Sequence, residues 1–484
     1  MSDTARETYR FEPLNRRGLV LGVGAGQLGL VVGSVVLAVA AVRTWPRASG
    51  FAAAAAVLAA AAAMCRPVGG RPPLQWLALG GRYLLRARST REAPPGQAFE
   101  VAAPPAGEIA QAKASLRAAP AKFPARTPAT GIWLDRLPAQ AGLGPLGALV
   151  DAREGTVAAV LQARGASFCL LDNADKERRL AAWAGVLEAL CSASGSIARL
   201  QWCQRARAAS SDPLVAHLLA TGDSSSPGYS GHLEHLRATS ERAWRHETFL
   251  VVVMHAQLRG RRVVAPDDAH LRNELRSFRA QLRNVGVACD GVLDATDLAR
   301  SVGAFLVPGL DRHDYGHPWP LSFEERWGEL RADGQWYRTY WVGEWPRSSV
   351  GPDFLSQLLL GKGRRCVSVV MAPVPPEKAA RDAESSRTAE VADARLRAQG
   401  GFLETARQRR QAEALEGRES NLAEGRGAFS FSGYISVAAG ELPELEQASS
   451  ELHRAAAAAR ILLRPLYGQQ REALMWALPF GRGL

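Results

Sequence analysis

Residues 18–42 read GLVLGVGAGQLGLVVGSVVLAVAAV, and Gly24, Gly26 and Gly29 within them keep the G-x-G-x-x-G spacing. Two readings compete: a dinucleotide-binding turn, or a helix that lives in lipid. The dinucleotide fingerprint needs a strand before the glycines and an amphipathic helix after them. It also needs an acidic residue about 20 positions on, to hold a ribose hydroxyl. No Asp or Glu occurs between Glu12 and Glu92, and the only polar side chains from Gly18 to Val42 are Gln27 and Ser34. The run is apolar all round. As a helix it rises about 37 Å, enough to cross a hydrocarbon core of about 30 Å with some tilt. The sequence therefore predicts a transmembrane helix over 18–42.

The glycines then serve packing. Gly18, Gly22 and Gly26 are four apart, as are Gly29 and Gly33. Four-residue spacing puts small residues on one helix face, where a second helix can come close, so Gly22, Gly26, Gly29 and Gly33 are expected to pack. The partner follows after Arg43–Arg47: ASGFAAAAAVLAAAAAMC, residues 48–65, carries no charge and spans about 27 Å as a helix. An Ala-rich soluble helix and a signal peptide cleaved near Ala38-Val39-Ala40 are the rivals. Two uncharged segments in direct succession argue against both.

Charge orients the hairpin. The whole chain carries +12, and residues 1–91 hold twelve Arg against Asp3, Glu7 and Glu12, leaving +9 there and +3 for the rest. The basic balance thus belongs to the membrane module and is no footprint of a nucleic-acid-binding domain. Arg6, Arg10, Arg16 and Arg17 precede the first span and six Arg follow the second, whereas the connecting turn has Arg43 and Arg47 alone. The positive-inside rule places both termini in the cytoplasm, at the cell (inner) membrane. In PPLQWLALGGRYLLRAR (72–88), Trp76, Arg82, Tyr83 and Arg86 surround an apolar stripe, which suits the headgroup region. An ordinary packed helix fits as well, and Gly80-Gly81 weakens either.

A Pro/Ala-rich linker, 92–128, leads to two expected α+β domains, 129–315 and 316–484, the second carrying a charged helical arm over 376–426. The arm reads as a solvated hairpin broken at Gly400-Gly401, or as a contact for a partner subunit. Alternating runs around Glu154-Gly155 predict a hairpin, and SFCLL (167–171) a further strand. Asp172 and Asp294 are placed to cap helices, and HLEHLRATSERAWR (232–245) reads as a helix. Strands are expected at 197–206, 248–256, 286–293, 336–345, 364–374 and 429–439, helices at 267–284 and 442–461. No internal repeat is convincing. The six cysteines show no CxxC spacing, and a cytoplasmic location implies reduced thiols.

Catalytic constellations are missing from the sequence. Gly361-Lys362-Gly363 lacks the spaced glycines and the hydroxyl of a phosphate loop. Gly228-Tyr229-Ser230-Gly231 falls one residue short of a nucleophile elbow. His232 and His235 lie one helical turn apart without a third ligand, so no metal is expected. Asp294 and Asp297 are accounted for by a helix start. Trp336, Tyr337, Tyr340 and Trp341 alternate as a strand with one aromatic face in the core. No cofactor and no catalytic residue are expected.

The start, YRFEPLNRRGLVLGVGAGQLG (9–29), the basic segment 71–86, GTVAAVLQARGASFCLLD (155–172), LAAWAGVLEAL (180–190) and above all the end, LRPLYGQQREALMWALPFGRGL (463–484), carry a resemblance. The chain resembles an actinobacterial family of membrane-anchored proteins from gene clusters of the type IV secretion or conjugation kind. That family in turn looks like the membrane subunit joined to the non-motor N-terminal half of the conjugative transfer ATPase. The resemblance implies a non-enzymatic platform that recruits a separate ATPase. Its docking residues would lie in the tail: Tyr467, Gly468, Gln469, Gln470, Trp476 and Phe480. The same tail can instead close the core of the last domain. Membrane lipid, the ATPase and a second copy of the chain are the expected partners. A membrane-tethered single-stranded nucleic-acid-binding subunit is the alternative, and the small charge of the soluble part speaks against direct nucleic-acid contact.

Overall fold

A computed structural model describes residues 25–45, 47–65, 73–90, 132–137, 144–151, 154–164, 168–192, 196–208, 212–240, 244–259, 262–264, 268–306, 323–399 and 405–484. Two compact units divide the chain. One takes in Ala98–Lys378 and Gly425–Leu484, the other Glu12–Gln97 and Ala379–Glu424.

The larger unit is α+β, built on one large antiparallel sheet packed with helices. Its strands are β1 (Ile132–Leu137), β2 (Leu146–Asp151), β3 (Thr156–Arg164), β4 (Ile197–Ala208), β5 (Trp244–His255), β8 (Ala288–Val292), β9 (Phe323–Glu325), β10 (Leu330–Ala332), β11 (Gln335–Glu344), β12 (Arg364–Val374), β13 (Ala428–Ala439) and β14 (Leu462–Pro465). A separate two-stranded ribbon joins β6 (Gln257–Arg259) to β7 (Arg262–Val264). The main sheet runs β1-β2-β3-β5-β4-β12-β13-β11-β10-β9, with β8 also on β3 and β14 also on β11.

This order contains a duplication. After β3 come helix α4 (Asn173–Ser192), β4, β5, helix α7 (Asp268–Asn284) and β8, in the spatial order β8-β3-β5-β4. After β11 come the four-residue helix α9 (Ser356–Leu359), β12, β13, helix α12 (Leu442–Ala458) and β14, in the order β14-β11-β13-β12. Each is a split β-α-β arrangement. The correspondence continues outward. A two-strand lead-in pairs with the start of the first strand in both, β2 on Thr156 to Ala159 and β10 on Gln335 to Tyr337. A helix pair interrupts the second and third strands in both: α5 (Asp212–Thr221) with α6 (Tyr229–Ser240), then α10 (Pro376–Gln399) with α11 (Ala406–Ala423). A final helix follows the last strand in both, α8 (Ala295–Leu306) and α13 (Gln470–Ala477). The halves join edge to edge through β4 and β12, antiparallel, with Cys203 opposite Ser368 and Arg205 opposite Cys366.

The expected division at residue 315/316 therefore falls between two repeats that share one sheet, and no break in backbone pairing separates them. A repeat was not expected from the sequence. Its hydrophobic pattern is masked because the first helix has 20 residues in one half and four in the other.

Side-chain alternation fills both faces of the sheet. Val157, Ala159 and Leu161 of β3 lie with Val186 and Leu190 of α4 and Leu271, Leu275 and Phe278 of α7. Ala158 and Val160 face the other way, with Leu298, Val302 and Phe305 of α8 and Leu478 and Phe480 of the tail. Over the second repeat α12 contributes Leu445 and Leu452, and α13 contributes Ala473 and Ala477. Strand β11 has aromatic residues on both faces, not one: Trp336 and Tyr340 pack under α12, and Tyr337 packs on the α8 side.

Local chemistry explains most boundaries. Gly155 adopts φ 62° in the β2–β3 turn, a left-handed conformation that favours glycine. Asp172 and Asp294 accept from the backbone N–H groups of Asp175 and Asp297, each at 2.7 Å, and so open α4 and α8. The stretch read as a strand at SFCLL is instead a 3-10 turn at Phe168–Leu170, since it leads straight into the Asp172 cap. The helix read through 245 ends at Ser240; Trp244 and Arg245 already belong to β5.

In the smaller unit, α1 (Ala25–Thr44) and α2 (Arg47–Cys65) form a helical hairpin, and α3 (Pro73–Thr90) runs unbroken through Gly80-Gly81. The window Ala48–Cys65 is long and apolar enough to cross a membrane, and the apolar part of α1 described runs Gly29–Thr44. Helices α10 and α11 are tied by an Arg387–Glu419 ion pair, and Thr405 and Gln408 form a capping box at the start of α11.

Candidate functional site: the C-terminal tail on the sheet seam

The tail lies where the repeats meet. The Gln201 side chain, fully buried on β4, shares the two hydrogens of Nε2 among Ser368 Oγ (2.7 Å), Leu478 O (2.9 Å) and Trp476 O (3.2 Å), and its Oε1 accepts from Gly481 N (2.7 Å). One side chain thus binds both repeats to the tail. Beside it, the thiols of Cys203 and Cys366 are 3.2 Å apart, and Cys366 donates to Ala477 O at 3.0 Å. Burial pushes the Cys366 thiol well above its ordinary value, with its neighbour Cys203 adding to the rise. Arg482 pairs with Asp151 on β2, both nearly buried, and Tyr434 donates to Gly483 O. Residues 477–483 are buried throughout, and Leu484 is 51% exposed.

The six tail residues singled out in the sequence occupy distinct environments. Tyr467 stacks on Trp327 with centroids 6.3 Å apart. Gly468 adopts φ 67°, donates to Trp327 O at 2.8 Å, and has no room for a Cβ, which would meet the Trp327 ring at 2.7 Å. Gln469 stands at the start of α13. Gln470 is fully buried, accepts from Thr339 N (2.8 Å) and donates to Thr339 O (3.2 Å) and Leu466 O (3.1 Å). Trp476 is half-buried against Tyr434, centroids 5.3 Å apart. Phe480 is 4% exposed. The side chains of Gln470 and Phe480 are therefore directed into this chain's own core. The apolar face of α13 has its partner in the sheet, which corrects the expectation of an outward-facing surface at these two positions.

Of the helix-packing glycines, Gly22 lies outside the described residues and Gly26 stands in the first turn of α1. A Cβ at Gly29 or Gly33 would meet nothing within 4 Å. The α1–α2 contact is made by a different set of small residues. Ser34 and Ala38 are buried on α1, and Gly50, Ala54 and Ala61 on α2. A Cβ at Gly50 would sit 2.9 Å from Ala41 O. The physical rule, small residues where helices approach, holds with another register. Among the interfacial candidates, Trp76 and Tyr83 are half-buried and Arg82 is exposed. Arg86 lies in α3, with its side chain outside what is described. Leu77, Leu84 and Leu85 of α3 are 66%, 63% and 68% exposed.

His232 and His235 are exposed on α6, and no group of metal-ligating side chains is found among the described residues. Sequence reasoning missed Gln201, Asp151 and Arg482, because nothing local marks a polar residue whose partner lies hundreds of positions away. It also missed a basic pocket at the open end of β4 and β5, where Arg205, Arg207, Arg245 and Glu247 converge. The alternation of charge in QRAR (204–207) and WRHE (244–247) is the signal that was there to be read. A comparison of the chain with protein-family models finds no match, and a comparison with curated proteins finds none either.

Proposed function

We propose that this chain is a membrane-anchored platform subunit of a type IV secretion- or conjugation-like transport complex, holding a separate ATPase at the cytoplasmic face. The observation that carries the anchor is the α1–α2 hairpin. It buries small residues between its helices and leaves Val32, Val36, Leu37 and Phe51 exposed at 57%, 63%, 61% and 63%. An apolar surface of that kind is costly in water and favourable in lipid. The mechanism is recruitment. The anchor confines the α+β unit to the membrane plane, and a docked ATPase gains effective concentration at the translocation site.

Support for the ATPase partner is the tail's resemblance to the segment that adjoins the motor in the conjugative ATPase. Within the tail a partner would meet the partly exposed Tyr467 and Trp476 rather than the buried Gln470 or Phe480.

Topology gives the test. With Trp45→Cys and Glu100→Cys introduced separately, an impermeant maleimide applied to intact cells should label position 45 and spare position 100. Labelling at 100 would overturn the hairpin arrangement.

A further inference from the structure

At the end of the sheet where β4 and β5 run out into the α5–α6 insertion, a pocket of about 300 Å³ opens between the strands and α8. Glu247 lies at its base, 7% exposed, and three guanidiniums converge on it. Arg205, itself buried, donates from Nε at 2.8 Å and is held from behind by Ser301 O and by the Phe249 ring, 5.1 Å from its Cζ. Arg207 donates from Nε and Nη2 to the other oxygen at 3.2 and 3.1 Å. Arg245 reaches that oxygen only at 3.4 Å and remains 57% exposed. A fourth guanidinium, Arg300, lines the pocket from α8, beside Asp297 at 2.9 Å.

Burial alone would raise the Glu247 carboxyl; the Arg205 and Arg207 guanidiniums outweigh it and hold the group below its ordinary value. Glu247 is thus an anion inside the protein that fixes the inner edges of three arginines. Arg205 is used up by Glu247 and Ser301 O, whereas Arg207 and Arg245, 28% and 57% exposed, line the opening. Each guanidinium offers five N–H donors in a rigid fork, and the Glu247 oxygen that Arg207 and Arg245 share cannot saturate both of them.

The second repeat offers a contrast. There the corresponding final helix, α13, lies on Val370 and Tyr434, with the Trp476 ring against Tyr434. The strands beneath α13 thus present an apolar surface, whereas those beside α8 carry the charged cluster.

We infer that the Arg207–Arg245 pocket binds a phosphate group. Four guanidiniums against two carboxylates match a dianion, and arginine forks bind phosphate oxygens in pairs. Glu247 and Arg205 act as positioning residues, and Arg207, Arg245 and Arg300 make the contacts. The phosphate belongs either to a soluble phosphorylated compound or to an anionic lipid headgroup. The site stands whether or not the chain recruits an ATPase.

The test uses the full chain purified in detergent. It is titrated calorimetrically at fixed ionic strength with inorganic pyrophosphate, and separately with dihexanoyl phosphatidic acid, a phosphomonoester lipid, below its micellar concentration. Saturable binding of pyrophosphate assigns a soluble phosphate, and saturable binding of the lipid alone assigns a headgroup. In either case Arg207→Gln with Arg245→Gln should weaken binding at least tenfold at an unchanged melting temperature. Should the double variant fail to fold, Arg245→Gln, at an exposed position, gives the same readout. No saturation with either ligand, or equal affinity in the folded variants, would overturn the proposal.

Discussion

Arg482, two residues from the end of the chain, donates to the carboxylate of Asp151, 331 positions earlier on β2, with both side chains at or below 10% exposure. This pair fastens the tail to the first repeat. Breaking a buried pair by removing one partner leaves an uncompensated charge and costs about 3–5 kcal/mol. Asp151→Ala in the full chain should therefore lower the melting temperature far more than Asp151→Leu combined with Arg482→Met. Equal losses in the two variants would show that Arg482 is not left as an uncompensated buried charge.

Gln201 makes the other fastening. Gln201→Leu keeps the volume and removes every hydrogen bond to Ser368, Trp476, Leu478 and Gly481. At about 1 kcal/mol net for each bond, the tail should loosen before the sheet does. Hydrogen exchange read by mass spectrometry should accelerate in the peptide spanning 476–484 while β5 stays protected. Unchanged exchange there would separate Gln201 from the holding of the tail.

Glu247 predicts a pH dependence. Its folded pKa is depressed below the ordinary 4.5. A depressed carboxyl contributes stability that is present above the unfolded value and is lost as pH falls through the folded value. Urea midpoints of the wild type should fall below about pH 4.5, where the unfolded carboxyl begins to bind protons. Glu247→Gln should be less stable at pH 7 and show a shallower decline on acidification. Parallel profiles for the two proteins would remove Glu247 from the account.

Cys191, at the end of α4, is half-buried and carries Glu188 one turn before it. Burial first, then the Glu188 charge, push its thiol up to about 11. At pH 8 the thiolate is scarce, so peptide mapping after maleimide treatment should find Cys191 little modified, with the rate climbing toward pH 11. Rapid labelling at pH 8 would contradict that environment.

How much of this was legible in the sequence depends on the range of the interaction. Gly155, Asp172 and Asp294 act within a few residues of themselves, so the β2–β3 hairpin and the starts of α4 and α8 follow from the chain read locally. The strands 364–374 and 429–439 were equally plain from alternation. The meeting of β4 with β12 is not legible, because an edge-to-edge pairing of two repeats leaves no spacing signal, and the composition of the chain suggests a domain boundary between them instead. The small-residue rule led to Gly29 and Gly33, whereas the contact uses Ser34, Ala38 and Gly50. Sequence identifies the kind of face but not the rotation of the helix. The amphipathic run of α13 was visible, yet whether it met a partner or the sheet was decided by Gln201 and Cys366, residues far away in the chain.

The platform account is tested most directly by purifying the tagged full chain from native membranes, quantifying what accompanies it, and assaying ATP turnover. The account predicts that a separate P-loop ATPase co-purifies and that all turnover vanishes when that ATPase loses its phosphate-loop lysine. The chain purified alone should bind no nucleotide in a turnover-competent way. Turnover by the isolated chain, or membranes yielding the chain with no ATPase attached, would contradict it.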